Sequence, residues 1–236
     1  MPVVLRTWNV FHGNAVPPER RDFLEEMVRL VTADGPDVVC LQEVPVWALR
    51  SLDRWSGMTA VGAVARRPRV WSAELGRWIT EVHHGLLRSA VAGQANAILV
   101  APRFRVGEQR VEAISRPGEG ERRICQVVPV DGLGVVANFH ATGGETADEQ
   151  FLRAAELVRR LDEPAILCGD ANIRPGDRGR TYGQLREWGF SAPAAGIDQI
   201  LVRGLPVSVA AVWPDERRKV EGRLLSDHAP VELQVA

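Results

Sequence analysis

The sequence predicts an α/β fold: two mixed, mainly antiparallel β-sheets packed face to face, with helices on the outside, as a four-layered α/β sandwich. Three observations predict it. Short apolar runs of strand length recur along the chain and end on polar residues. Near the N-terminus a strand, a helix and a second strand follow one another, a βα unit that aims its strand ends one way. In mid-chain, Ile124–Val130 and Leu133–Phe139 read as an antiparallel hairpin about Asp131-Gly132. The 236 residues are 45% hydrophobic, ample for one large core. No Ser/Gly/Pro-rich linker or fixed-period repeat divides them, so residues 1–236 are expected to form one domain.

Val3–Val10 is the first strand and carries Asn9 at its end. Pro17-Pro18 opens a helix through about Leu30, with Phe23, Leu24, Met27, Val28 and Val31 near helical spacing; Gly35-Pro36 stops it. Asp37–Leu41 is a buried strand ending in Gln42-Glu43. Val46–Trp55 reads as a helix and Thr59–Ala65 as a strand. Residues 66–88 are less regular, a hairpin or a lid, with Trp71 and Trp78 read as packing and the adjacent His83 and His84 as surface residues that point opposite ways. Asn96–Val100 is a strand, and Phe104–Ile114 alternates like an edge strand. A charged Gly/Pro turn, Arg116–Arg123, precedes the hairpin, which ends on His140. Thr146–Leu161 has helical periodicity. Ala165–Cys168 is a buried strand that stops at Gly169 and delivers Asp170 and Asn172 to the loop beyond. Thr181–Trp188 reads as a short helix, Ile197–Val202 as a strand with Asp198 near its start, and Val207–Trp213 as another. Ser226-Asp227-His228-Ala229-Pro230 leads into a last strand, Val231–Val235.

The formal net charge is -1, so no global cationic field advertises nucleic acid. The basic residues are almost all arginine, Lys219 being the only lysine, which a compositional bias explains as readily as phosphate binding. Cys40, Cys125 and Cys168 lie in apolar runs without metal-ligand spacing and read as reduced, buried thiols. With no signal-like start and no run approaching the ~20 apolar residues of a membrane span, a cytoplasmic location is expected. No obligate protein partner is evident.

The polar groups carried by strand ends and loops are Asn9, Gln42, Glu43, His140, Asp170, Asn172, Asp227 and His228, joined by Asp198. They are carboxylates, carboxamides and imidazoles, with no candidate Ser or Cys nucleophile. A hard divalent cation prefers oxygen ligands and takes only one or two protein carboxylates beside water and phosphate. The other groups suit hydrolysis by activated water: an Asp to hold or deprotonate it, amides and imidazoles to bind oxygens as charge develops.

These segments resemble the endonuclease/exonuclease/phosphatase (DNase I-like) superfamily. The matching pieces are Thr7-Trp8-Asn9-Val10, Pro36–Glu43, Asn96-Ala97-Ile98-Leu99, Asn138-Phe139-His140, Cys168-Gly169-Asp170-Ala171-Asn172, Ile197-Asp198-Gln199-Ile200 and Ser226–Pro230. They span nearly the whole chain in the family's order. The resemblance implies a Mg2+-dependent hydrolase, with Mn2+ as a substitute, that attacks a phosphodiester directly with water. It implies Glu43 as main metal ligand with Asn9 beside it, Asp227 in an outer or second metal position, and Asp170 as the group that orients or deprotonates water. Asn172 would hold a phosphate oxygen or that water, Asp198 would fix His228 against the scissile phosphate, and His140 would stabilise the developing charge. A nucleic-acid substrate is the first expectation and a small or phospholipid phosphate ester the alternative. A non-catalytic binding module on the same fold is the alternative of another class.

There are departures. Phe11 stands where many nucleases of the family carry an acid, which weakens a second metal position. His12-Gly13 matches a variant that places His12 at the site's rim, toward substrate phosphate. The only tyrosine, Tyr182, follows the Asp170 motif, so a mid-chain tyrosine that touches phosphate has no counterpart. Arg123 or Arg122 is either a phosphate contact or exposed charge.

Overall fold

The computed structural model describes residues 2–69, 72–82, 91–161, 164–177 and 179–236. Trp71, His83 and His84 lie outside them. The strands are β1 (Val3–Asn9), β2 (Ala15–Val16), β3 (Val38–Val44), β4 (Thr59–Arg66), β5 (Gln94–Val100), β6 (Arg110–Ala113), β7 (Ile124–Val130), β8 (Gly134–His140), β9 (Ala165–Asp170), β10 (Asp198–Arg203), β11 (Ala211–Val212), β12 (Lys219–Val220), β13 (Arg223–Leu225) and β14 (Val231–Val235). The helices are α1 (Leu24–Thr32), α2 (Leu52–Ser56), α3 (Ala73–Val82), α4 (Ala147–Arg159) and α5 (Gly179–Glu187). Strand order is β11-β14-β1-β3-β5-β4 in the first sheet, β10-β9-β8-β7-β6 in the second and β12-β13-β2 in a small third. The pairs β1–β3 and β8–β9 run parallel, each with a helix between its strands, and the remaining pairs are antiparallel.

The central strands are continuous apolar runs because both of their faces are covered. Alternation sorts their residues into three cores. Leu5, Cys40, Ile98, Val136, Cys168 and Ile200 fill the space between the two large sheets. Trp8, Val39, Leu41 and Leu99 face Leu24, Met27 and Val28 of α1 and Leu52 and Trp55 of α2. Ala137, Phe139, Leu167 and Leu201 face Phe151, Ala155 and Val158 of α4 and Tyr182 and Leu185 of α5. Phe139 and Phe151 stack at 5.0 Å, and each such fully buried ring contributes about 2–3 kcal/mol. The layers are helix, sheet, sheet, helix, as the sequence predicts.

Five local expectations are corrected. Helix α1 starts at Leu24, seven residues after Pro17, with Phe23 at the N-cap and the Asp22 carboxylate accepting the Leu24 N–H at 3.2 Å. Val46–Trp55 is not one helix: a 3-10 segment, Val46–Ser51, precedes α2. The 66–88 stretch contains a helix, α3, and its Trp78 is 56% exposed, not packed. The Phe104–Ile114 alternation condenses to the exposed edge strand β6, and Val207–Trp213 to β11 plus a bridge at Val207. All three cysteines are buried and free. Among the described residues no helix is long and apolar enough to cross a membrane.

Candidate active site

Six strand ends meet at one edge of the sandwich: the C-terminal ends of β1, β3, β8 and β9 and the N-terminal ends of β5 and β10. Asn9, Gln42, Gln94, Asn138, His140, Asp170 and Asp198 occupy the same register faces as Leu5, Cys40, Ile98, Val136, Cys168 and Ile200, so they point into the inter-sheet space. The apolar filling gives way to polar groups where the strands reach that edge.

An amide belt floors the site. Gln42 Nε2 donates to Thr7 Oγ1 at 2.9 Å and to Asn138 Oδ1 at 2.8 Å. Asn138 Nδ2 donates to the Leu41 and Ala97 carbonyls, both at 2.9 Å, and thereby ties the second sheet to the first. Asn96, whose Nδ2 reaches the Asn138 carbonyl at 3.4 Å, belongs to this belt.

Asp170 stands above it. Its Oδ2 accepts from Asn9 Nδ2 at 3.0 Å and lies 3.5 Å from His140 Nε2 and 3.8 Å from His228 Nε2. Its Oδ1 accepts the backbone N–H of Asn172 at 2.9 Å. Burial, then the charge of Asp198, pushes the Asp170 carboxyl up to about 7. His228 Nδ1 is 2.8 Å from Asp198 Oδ2. Burial pulls this imidazole down, but the Asp198 hydrogen bond and charge, with Asp170 and Asp227, outweigh it and raise it to about 9. His140 differs: its Nδ1 receives Arg123 Nη1 at 2.9 Å and Gln94 Nε2 at 3.1 Å. Burial, Arg123, His228 and His12 hold it well below the usual imidazole range.

Glu43 reaches the site through a bulge. The β3–β5 register shifts between Leu41 and Val44, and Glu43 takes φ +57°. In an unbroken strand it would follow Leu41 onto the outer, α1-facing side. Its oxygens lie 3.6 Å from His12 Nε2 and 3.8 Å from His140 Nε2. Burial raises its pKa, opposed by the charges of Arg123 and His228. Strain gathers here: of the six non-glycine residues with positive φ among the described residues, Phe11, His12, Glu43, Asn172 and Ser226 belong to the site's strand ends and loops.

The structure brings Asn9, Glu43, His140, Asp170, Asp198 and His228 together. Asp227 adjoins them with a half-exposed side chain, 3.9 Å from His228 Nε2. Asn172 is present, but its Nδ2 donates to the Ala141 carbonyl at 2.8 Å, which crosslinks the loops after β8 and β9. His12 is a buried neighbour of Glu43, not a rim residue, because Phe11 and His12 turn it inward with left-handed backbone. Arg123 is not exposed charge: its side chain is 11% exposed, and it donates to His140 Nδ1 and, through Nε, to Thr142 Oγ1 at 3.3 Å. Tyr182 packs on Phe151 and donates to the Ile173 carbonyl at 2.9 Å, so it faces the core.

Three supporting roles escape sequence reasoning, one of them, that of Ser226, inside a motif the sequence does show. Gln94 precedes the apolar run by which β5 is recognised. Ser226 Oγ donates to the Asn9 carbonyl at 2.7 Å and accepts the His228 N–H at 3.1 Å. Arg218 Nη1 donates to the carbonyls of Leu225, Ser226 and His228 at 2.9, 2.8 and 3.1 Å. Arg218 hides in the charged run Asp215–Lys219, where no local signal marks the buried member.

Asp170, Asp198 and His228 offer ligand atoms within 4.8 Å of one another, the one such His/acid group among the described residues. Its imidazole Nδ1 already serves Asp198, however, and a hard cation prefers oxygen. Glu43 fits a cation better: its oxygens stand wider than hydrogen-bond distance from the two imidazoles, in a place where burial disfavours its charge.

A family model described as Endonuclease/Exonuclease/phosphatase family matches residues 7–228. A search of curated proteins returned no match. Among solved structures, a conserved protein of unknown function from Enterococcus faecalis V583 is similar at TM-score 0.73 and 19% identity, with 99% of both chains covered. A mannosyl-6-phosphatase from Bacteroides thetaiotaomicron is similar at TM-score 0.68 and 18% identity, again over 99% of both chains. TDP2 from Caenorhabditis elegans is similar at TM-score 0.65 and 17% identity, covering 100% of this chain and 74% of the other.

Proposed function

This chain belongs to the endonuclease/exonuclease/phosphatase family, a family of phosphoesterases, and on that premise we propose that it hydrolyses a phosphodiester by direct attack of water with a divalent cation at Glu43. The observation that carries this reading is Asp170 set between two imidazoles, with Oδ2 within 3.8 Å of both Nε2 atoms. A carboxyl near pH 7 can take a proton from water at neutral pH, and a base works best when its pKa lies near the working pH. Asn9 and the Asn172 backbone N–H hold that carboxylate in orientation. His228, kept cationic by Asp198, meets the negative phosphate. His140 turns Nε2 to the same point to bind oxygen as charge builds. Glu43, with Asn9 and Asp227 near, would hold Mg2+ or Mn2+, which would supply Lewis-acid charge to a phosphate oxygen. Asn172 joins two loops and thereby positions Asp170.

A nucleic-acid strand is the first substrate proposed. Arg66, whose guanidinium is ion-paired with Glu121, ends β4 directly opposite Gln94, which touches His140. The exposed Arg67 and Arg69 follow it, and the exposed Arg122 lies against β4 through the Val64 and Ala65 carbonyls. Such a cationic rim suits a phosphate backbone. A compact phosphate ester is the second reading, favoured by the end-to-end match to a mannosyl-6-phosphatase.

The deciding assay offers supercoiled DNA, abasic DNA, RNA, bis-p-nitrophenyl phosphate, a sugar phosphate, an inositol polyphosphate and sphingomyelin, with Mg2+, Mn2+ or chelator. Metal-dependent cleavage lost in Glu43→Ala is expected. Undiminished turnover in chelator or in Glu43→Ala would sink the proposal, and turnover of small esters alone would select the second reading.

A further inference from the structure

His140 sits between two carboxylates on one side and a guanidinium on the other. Its Nε2 lies 3.5 Å from Asp170 Oδ2 and 3.8 Å from Glu43 Oε1, and its Nδ1 lies 2.9 Å from Arg123 Nη1. A guanidinium has donors and no acceptor. The Nδ1 atom facing it must therefore be the bare lone pair. Gln94 repeats the constraint, since its Nε2 lies 3.1 Å from the same Nδ1 while its Oε1 accepts from Arg123 Nη1 at 3.5 Å. An imidazolium would turn an N–H toward both of these donors. The remaining form is the neutral ring with its hydrogen on Nε2.

The surroundings fix Arg123 in this pose. Its Nε donates to Thr142 Oγ1 at 3.3 Å, and its backbone N–H to Ser115 Oγ at 2.8 Å. The 116–123 turn that carries it is fastened to α4. Glu119 accepts from Arg153 Nη2 at 2.9 Å and from Gln150 Nε2 at 3.2 Å, while Gln150 Oε1 accepts the Thr142 N–H at 2.7 Å. One strapped turn thus holds both Arg123 and the loop that follows His140.

We propose that Arg123 is a positioning residue: through its bond to Nδ1 it locks His140 as the neutral Nε2–H tautomer and aims that hydrogen at the place between Asp170 and Glu43. The tautomer does not depend on the hydrolase reading; only its effect on turnover does, where the Nε2–H would bind a phosphate oxygen. Arg123 would then act on the substrate through His140 and not by direct contact.

The test is the imidazole 15N spectrum of the metal-free, 15N-labelled protein at pH 7.5, with His140 identified by its loss in His140→Gln. In the unaltered chain, His140 should show hydrogen on Nε2 and none on Nδ1. Arg123→Met should move the population toward the other tautomer, and Arg123→Lys, which also offers only donors, should restore it. Arg123→Gln, whose carboxamide can accept as well as donate, is the second variant should Arg123→Met fail to fold, and should likewise mix the tautomers. Hydrogen on Nδ1 in the unaltered chain, or a His140 spectrum indifferent to Arg123→Met and Arg123→Gln, would overturn the proposal. With a substrate in hand, kcat should fall roughly tenfold to a hundredfold in Arg123→Met with little change in KM, and Arg123→Lys should recover most of it. A raised KM with kcat intact would identify a direct phosphate contact instead. Should no substrate be turned over, the hydrolase reading fails and the spectrum still decides the tautomer.

Discussion

The two imidazoles beside Asp170 stand at similar distances from it, 3.5 and 3.8 Å, yet their partners are opposite in charge. His228 leans on a carboxylate and is driven up to about 9; His140 leans on a guanidinium and is driven down. Residue type does not determine what these rings can do. The atom on the far nitrogen does, and it makes one ring a cation and the other a neutral donor. The pair shows how a pocket around one carboxyl gains two chemically distinct rings from the same side chain.

The largest break in this comparison comes from removing the group the rings share. Asp170→Asn should lower hydrolysis by roughly 10³-fold or more, read by initial rates at saturating Mg2+, while the metal-free fold gains. Because the Asp170 pKa is raised from 3.8 to about 7, the native state holds a proton that the unfolded chain gives up across that window, so stability falls as pH rises through it. The Asn variant should melt higher than its parent at pH 8, and the difference should shrink toward pH 5. An equal or lower Tm at pH 8 would contradict the raised pKa.

Next in size is Asp198→Asn, which takes the carboxylate from His228 Nδ1, lowers the Asp170 carboxyl by removing a neighbouring negative charge, and leaves the Arg123 contact of His140 in place. A loss of roughly 10² to 10⁴-fold in kcat is expected, together with a fall of the His228 pKa in an NMR titration; an unmoved titration would dissolve the contrast between the rings. A third effect appears in the stability of the chelated protein. The folded His228 pKa lies above its ordinary 6.5, so its contribution is complete below about 6.5 and disappears as pH rises through about 9. Melting temperatures should decline between pH 7 and 9.5, and His228→Gln should flatten that decline. The smallest change is expected from Gln94→Leu, which leaves Arg123 on Nδ1: kcat should drop only a few-fold. A loss as large as that of Arg123→Met would make Gln94 as much an anchor of the ring as Arg123.

The two rings also mark how far the sequence can be read. Strand ends announced His140 and Asp170, since a continuous apolar run that stops on a polar residue needs no partner to be recognised. The Asp198–His228 pair entered through resemblance to a family motif. Arg123 was not legible in its inward role: a charged Gly/Pro turn of the composition Arg116–Arg123 reads as solvent-facing until Glu119, Gln150 and Arg153 are seen to fasten it. The position of Glu43 was legible and its route was not, because a bulge leaves no compositional trace and strict alternation would send the side chain outward. Helix boundaries failed where prolines precede the first turn by several residues, as before α1, and where a 3-10 segment imitates α-helical periodicity, as before α2.

The amide belt between the sheets has one more implication. Asn9 and Glu43 come from the first sheet, and His140, Asp170 and Asp198 from the second. Gln42 and Asn138 are the rivets that set the distance between them. An ångström of slippage at those rivets would part Asn9 from Asp170 while leaving every strand pairing in each sheet intact. If the proposed hydrolysis holds, turnover should therefore gauge the gap between two slabs, with small shifts in how they seat against each other registering at the pocket before they register as unfolding.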